Sequence, residues 1–407
     1  MKKLLCRNCK KKKFSNLFSL GKLSFTGKFA NSKKDNIPSA EVTLVKCNNC
    51  HLVQLNKNFN PKFLYGKDYG YRTGLNSTMT NHVKSVALEG KKLSNLKNGE
   101  SVLDIASNDG TLLNFYPQNI TTVGIDPIIK KFPTYYKNIN HKIGNFFTFQ
   151  NVKKIGLKNK FKIITALSVF YDLKDPNKFI KDVKKLLDSE GVFILEFADL
   201  LSIIKNCLFD TICHEHLEYY SSKIIINMMK KNGLKVINIT KNNINGGSMR
   251  YHIVHEQSFQ KENIKKINSI LAEEKKYKLE SISTYKNFQK KINKLRIKLS
   301  NFIKQNINKG KIFHGYGAST KGNVLLQYFN ISNIQINYIA DRNPLKYGKY
   351  TPGTKIEIIS EKKSRLKRPD FYLVLPWHFK EEIIKREKLT IKQGSKFIFP
   401  LPKFSIK

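Results

Sequence analysis

The stretch SVLDIASNDGTLL, residues 101 to 113, decides how this chain is read. Its apolar start is a short strand ending at Asp104, a turn of small and polar residues follows, and Leu112 to Tyr116 is expected to open a helix. A strand, a tight turn and a helix N-terminus together bring backbone amides close to a ligand. Further on, TTVGIDP (121–127) reads as a second strand ending at Asp126. An acidic group there is placed to accept hydrogen bonds from ribose hydroxyls. The turn lacks the glycines of a dinucleotide fingerprint, since only Gly110 remains, and this argues against a cradled pyrophosphate.

Working outward, FKIITALSVFYDL (161–173) and GVFILEF (191–197) are two more apolar strands. Between them FIKDVKKLLD carries apolar residues at 179, 180, 183, 186 and 187, the spacing of one helix face. Strands alternating with helices predict an α/β fold with a doubly wound parallel sheet, which by itself names no reaction. A second such half lies near the C-terminus. KIFHGYGAST (311–320) is a strand running into a Gly-rich turn, and INYIADRNP (336–344) is a strand ending at Asp341. A charged helical stretch, 257–309, precedes them. The second turn is placed to present backbone amides and Lys321 to a diphosphate, or to serve packing alone.

At 407 residues the chain is too long for one ordinary core, and about two to four domains are expected. Its net charge of +44 points to an anionic partner. Lysine is spread over nearly every segment beside abundant Asn and Ile, however, so runs such as Lys10 to Lys13 read as solvated faces. No RGG tract, zinc-finger helix or aromatic RNA-binding signature accompanies them, and an anionic sugar nucleotide suffices as partner. MKKLLCRNCKKKK lacks the apolar core of a signal peptide, and no stretch reaches the roughly 18 to 20 apolar residues of a membrane span. A cytoplasmic protein is expected, acting as a monomer, with neither nucleic acid nor membrane as partner.

Four cysteines form two pairs, Cys6-x-x-Cys9 and Cys47-x-x-Cys50. Two such pairs complete a closed tetrahedral set, so structural zinc is expected, with residues 10–46 as a folded excursion between them. Cys47-Asn-Asn-Cys50-His51 also fits a haem-attachment pattern, but that chemistry and disulfide bonding both belong to exported proteins.

The pattern D-x-A-S-N-D-G resembles motif I of class I S-adenosylmethionine-dependent methyltransferases, with Ala106 where that family normally has glycine. Taken with the paired CxxC, DYGYRTG (68–74), the EH of CHEHLEYYS, NGGSMRY (245–251), GYGASTKGN (315–323) and TPG (351–353), the chain is similar throughout to a family of sugar C-methyltransferases. That family methylates carbon 3 of nucleotide-linked 4-keto-deoxysugars. The resemblance implies a zinc-binding domain (1–65), a donor-binding methyltransferase domain (66–240) and a C-terminal Rossmann-like substrate domain (241–407). Asp104, Ala106, Asn108, Gly110, Asp126 and, near adenine, Asn145 are the expected cofactor contacts.

Carbon methylation needs a base to remove the proton beside a ketone while the enolate is stabilised. Histidine titrates near neutral pH and a carboxylate can tune it. DTICHEHLEYYS (210–221) places His214, Glu215 and His216 side by side, which fits a metal site, a hydrogen-bonded turn or a proton-transfer site. By resemblance, His216 is the candidate base, Glu215 its companion, and Tyr71 a partner of the keto-enolate oxygen. Cys213 stands where a family member has tyrosine, and His214 takes over some of that role. Ser168 and Asp172 stand where that member has Asn and His, at a position that grips the nucleotide sugar. Asn245, with Gly246 and Gly247, forms a tight turn toward substrate or merely a hairpin. Trp377 and His378 are placed to stack on a base or to close a core edge, while His82 and His252 read as structural.

Overall fold

The computed structural model describes residues 4–59, 64 and 71–407. Asp68, Tyr69 and Gly70 of DYGYRTG, and the expected domain break at 65/66, lie outside them. Three sheets organise the described residues.

The N-terminal sheet is antiparallel, with Phe14–Ser24, Ser39–Cys47 and Val53–Leu55 in order. The excursion between the cysteine pairs is therefore a long hairpin that returns Cys47 and Cys50 to Cys6 and Cys9. Its fourth strand, Glu218–Tyr219, comes from far along the chain and pairs with Val53 and Gln54.

The central sheet has seven strands, in the order Leu234–Asn242, Ser248–His255, Leu187–Phe197, Phe161–Leu167, Ser101–Ile105, Thr121–Ile125, His141–Ile143. The last five are parallel, and Ser248–His255 runs antiparallel beside Leu187–Phe197. Six of the seven residues of Phe161–Leu167 are buried, as expected of a strand covered on both faces. The helix Pro176–Leu186 starts with proline at its first turn and an Asp175 cap on Lys178 N, and it buries Phe179, Ile180, Val183 and Leu186 against the sheet. The expected break at 240/241 falls inside the terminal hairpin of this sheet, whose second strand runs to His255.

The helix expected from Leu112 is instead a single 3₁₀ turn, Leu113–Phe115. Pro117 is the cause: it lacks an N–H and crowds the residue before it, and Tyr116 is accordingly extended at φ −89°, ψ 144°. No long helix therefore follows this turn directly.

The C-terminal sheet is ordered Glu357–Ser360, Tyr338–Asp341, Phe313–Tyr316, Phe371–Val374, Lys396–Phe399, Ser405–Ile406, parallel except for the last. Two helices, Ile264–Lys276 and Ile282–Ile307, form the charged connection before it. In both large sheets the order reverses beside the first strand, the place where open α/β sheets open a crevice.

Candidate active site

One cavity of about 670 Å³ runs between the carboxyl edges of the central and C-terminal sheets. On the central side its wall is the turn after Ser101–Ile105. Ala106 and Asn108 both adopt left-handed backbone there, at φ 58° and 52°. The Asp126 carboxylate holds this turn from the next strand, accepting from Asn108 N at 3.0 Å and from Ile128 N at 2.9 Å. Burial pushes its carboxyl up to about 6 against those two amides. Asp104 bonds Thr165 Oγ1 at 2.6 Å across the sheet, and burial lifts it to about 7. Asp104, Ala106, Asn108, Asp126 and Asn145 all line the cavity.

Gly110 does not line it. A Cβ there would sit 2.6 Å from Ile139 Cδ1, so this glycine serves packing. The Asn108 and Asp109 side chains are already engaged. Asn108 Oδ1 accepts from Thr73 N at 2.9 Å and its Nδ2 donates to Tyr71 O, while Asp109 takes Gly74 N and Arg72 Nε. SNDG thus ties the Tyr71 segment over the turn, and Tyr71 lines the cavity.

Across the cavity lie Ser168, Asp172, Glu215, His216, Asn245 and Lys321. His216 donates from Nδ1 to the Thr211 carbonyl at 2.6 Å and packs against the Tyr171 ring at 4.1 Å. A carbonyl can only accept, so the other nitrogen, Nε2, is the unprotonated one. Burial, with the Lys321 charge adding to it, holds this imidazole down at about 3. Glu215 does not bond His216. Its Oε2 accepts from Thr26 Oγ1 and its Oε1 from Gly27 N, both at 3.1 Å, anchoring the N-terminal domain at the cavity.

Besides Gly110, three expected site residues lie elsewhere. His214 is fully buried, bonded through Nε2 to Ala40 O and wedged edge-on between Phe25 and Phe59, which makes it a structural histidine. Cys213 is buried behind the cavity wall. Trp377 donates to Asp210 Oδ2 at 2.8 Å and covers Gly246, where a Cβ would meet its Cη2 at 2.4 Å, leaving no ring face for a base. Its neighbour His378 does line the cavity. His82, read as structural, also lines it, 2.5 Å from Glu196 Oε1. Burial works against Glu196, but His82 and Arg250 hold its carboxyl below the usual range. Alternation along Ser248–His255 carried no hint that Arg250 would reach this carboxylate.

The metal set is compact. The thiols of Cys6, Cys9, Cys47 and Cys50 lie within 4.8 Å of one another and none is in a disulfide, a donor set suited to tetrahedral Zn²⁺. Arg7, inside the first pair, is buried and donates to Leu55 O at 3.0 Å and Leu217 O at 3.2 Å. Leu217 directly follows His216, and the next residues are the fourth strand of the N-terminal sheet. The zinc domain therefore grips the segment that carries the candidate base. Sequence spacing located the cysteines, but nothing in it marked Arg7.

A sheet of this strand order, with an acidic-tipped donor turn at its switch point, defines a class I S-adenosylmethionine-dependent methyltransferase with a structural zinc site. Comparison with known proteins refines this. Three domain families match in succession: a zinc binding domain over 6–65, a methyltransferase domain over 80–239 and a C-methyltransferase C-terminal domain over 243–402. The chain carries these three matches in succession, and together they span most of its length. It is 27% identical over 401 residues to the C-methyltransferase NovU of Streptomyces niveus, covering 98% of this chain and 95% of that one. A tRNA U34 carboxymethyltransferase of Campylobacter curvus is 33% identical over 105 residues, 24% of this chain and 34% of its own. Among solved structures, an S-adenosylmethionine-dependent methyltransferase from Clostridium acetobutylicum aligns with TM-score 0.36 and 14% identity, over 43% of this chain and 92% of that one.

Proposed function

We propose that the protein methylates a carbon of a nucleotide-linked 4-keto-deoxysugar, by removing the proton beside the ketone and transferring a methyl group to the enolate carbon. The observation that carries this reading is His216. Its Nδ1–H is committed to Thr211 O, so a lone pair on Nε2 is available in the same cavity as the donor turn. A base is what carbon methylation requires and what transfer to a ready nucleophile does not.

Bound S-adenosylmethionine supplies an electrophilic methyl group. Asp126 accepts the donor's ribose hydroxyls, and Asn145 meets its adenine. Tyr71, held by Asn108, covers the reacting centre. Ser168, Asp172 and Asn245 face the sugar, and Arg72, Lys174 and Arg342 of the same cavity supply cations for a diphosphate. Glu215 acts as a positioning residue through Thr26 and Gly27. Sugar nucleotides are made in the cytoplasm, which is where this reading places the enzyme.

The test is mass spectrometry of a panel of nucleotide 4-keto-deoxysugars, each incubated in deuterium oxide with protein and S-adenosylmethionine. Methyl gain on one sugar, with deuterium entering its unmethylated form at the acidic carbon, is expected. His216→Ala should keep donor binding by calorimetry and lose turnover by at least 100-fold, within the range for a general base. No methyl gain on any ketosugar would overturn the reading.

A further inference from the structure

The Gly-rich turn of the C-terminal sheet sends a side chain into the reacting half of the cavity. Lys321 lies in the first turn of helix Thr320–Tyr328, whose N-cap Ser319 accepts from Gly322 N. It lines the cavity together with Thr211, His216, Asn245 and His378. Its Nζ donates to Asn245 O at 2.7 Å. That carbonyl is held in place, because Asn245 is in left-handed backbone (φ 57°) and Gly246 beside it is capped by the Trp377 ring. An ammonium has three donors, and this bond uses one.

One carboxylate, that of Asp210, acts on Lys321 against its burial. Burial disfavours its charge, with the Asp210 carboxyl and then the Cys213 thiol acting the other way. Asp210 is shared with the Trp377 indole on one oxygen, and its Oδ1 has no hydrogen-bond partner among the described residues. The two histidines on the same wall are held neutral by burial, and the Lys321 charge opposes protonation of either. A buried cation whose one carboxylate is shared with an indole gains from a second anion.

We propose that Lys321 is a catalytic residue that donates a hydrogen bond to the oxygen of the enolate. This deepens the carbon-methylation reading and rests on it. His216 Nε2 takes the proton beside the ketone, and the C–H electron pair becomes the new C=C bond. The carbonyl π pair moves onto oxygen, where Lys321 N–H meets it. Return of that pair restores the ketone as the carbon bonds to the donor's methyl group and the C–S bond breaks with its electrons left on sulfur. His216 then releases its proton to water, and Lys321 keeps its own throughout. The oxyanion lies between two cations at the moment of transfer, which removes the repulsion between imidazolium and ammonium that the resting site would otherwise impose. The turn that resembles a diphosphate cradle thus delivers its lysine to the chemistry instead.

The full-length protein and a ketosugar methylated by the wild type provide the test. Lys321→Met should leave donor affinity within threefold by calorimetry, and KM for the sugar within a few-fold. It should lower kcat and the donor-free rate of deuterium entry beside the ketone by 100-fold or more, the size of losing one oxyanion donor. Lys321→Arg should recover at least tenfold of that loss. Because Met leaves Asp210 without its cation, the Lys321→Met/Asp210→Asn pair guards against misfolding and should be equally slow. Exchange and kcat within threefold of wild type in either folded Met variant would overturn the role of Lys321. A wild type inert on every ketosugar would instead bring down the carbon-methylation reading, and this proposal with it.

Discussion

The molecule builds one device twice and sets a lysine against the second copy. In the central sheet Asp126 ends the second strand of its half and holds the preceding turn through two amides, Asn108 N and Ile128 N. In the C-terminal sheet Asp341 does the same with Ala318 N at 2.7 Å and Asn343 N at 2.8 Å. Both aspartates line the one cavity. The difference is Lys346, whose ammonium lies 3.3 Å from Asp341 Oδ2, donates to Ala318 O at 2.7 Å and sits over the Phe29 ring. A lysine thus sits against the second carboxylate. Shared topology places both turns at the cavity, and one side chain distinguishes their charge.

Removing each aspartate should separate the two turns most sharply. Asp126→Ala deletes both the proposed acceptor for the donor's ribose and the clamp on Asn108 N, so donor affinity should fall at least 100-fold by calorimetry. A hydrogen bond to a charged group and a lost turn anchor together reach that size. Asp341→Ala should leave donor affinity within threefold. Equal losses in the two variants would mean that the second turn also holds donor, and the contrast would fail.

The contrast should also show in pH dependence. Burial places the Asp126 carboxyl at about 6, raised from its unfolded value near 3.9. The folded protein therefore binds the extra proton between these values, and the stability of the donor-free protein falls as pH rises through that window. Donor binding should have the opposite sign, since the proposed ribose contact needs the carboxylate. Affinity should weaken about tenfold per pH unit below the Asp126 titration. Asp104, at about 7, titrates nearby, so Asp126→Asn is the control: it should bind weakly and lose that slope. A slope unchanged in Asp126→Asn would assign the effect to Asp104.

Much of this was legible in residues 101–126, because a strand's apolar run, a small-residue turn and a terminal aspartate are local signals. The paired cysteines were legible for the same reason. What escaped the sequence is long-range. Arg7 meets Leu217 O, and Glu215 meets Gly27, across about two hundred positions of chain that no periodicity connects. His214 and His216 sit two residues apart and share composition and neighbours, yet one is wedged between Phe25 and Phe59 and the other opens on the cavity. The predicted helix at Leu112 failed for a local reason that was readable: Pro117 was in plain view. The turn before Lys321 reads as a diphosphate cradle or a packing turn, and no local signal marks the Asn245 carbonyl that Lys321 meets, because it belongs to another sheet's hairpin.

The smallest difference between the two turns sits at their first residue. Gly317 and Ala106 each follow the first strand, donate to the neighbouring strand (Ala340 O at 2.7 Å, Ile125 O at 2.9 Å) and take positive φ, 81° and 58°. Glycine is obligatory in the C-terminal turn, because a Cβ there would lie 2.6 Å from Pro376. Alanine in the central turn accepts left-handed strain of about 1–2 kcal/mol, offset by the entropy that glycine would lose, about 0.5–1 kcal/mol. Ala106→Gly should therefore stabilise the folded state by under about 1 kcal/mol, read as a small rise in the urea midpoint. Donor affinity should change less than threefold, since the methyl group is lost but the Asp126 clamp remains. A fall in donor affinity of tenfold or more would show that the Ala106 methyl group shapes the donor site, and that the departure from glycine is a contact rather than a tolerated strain.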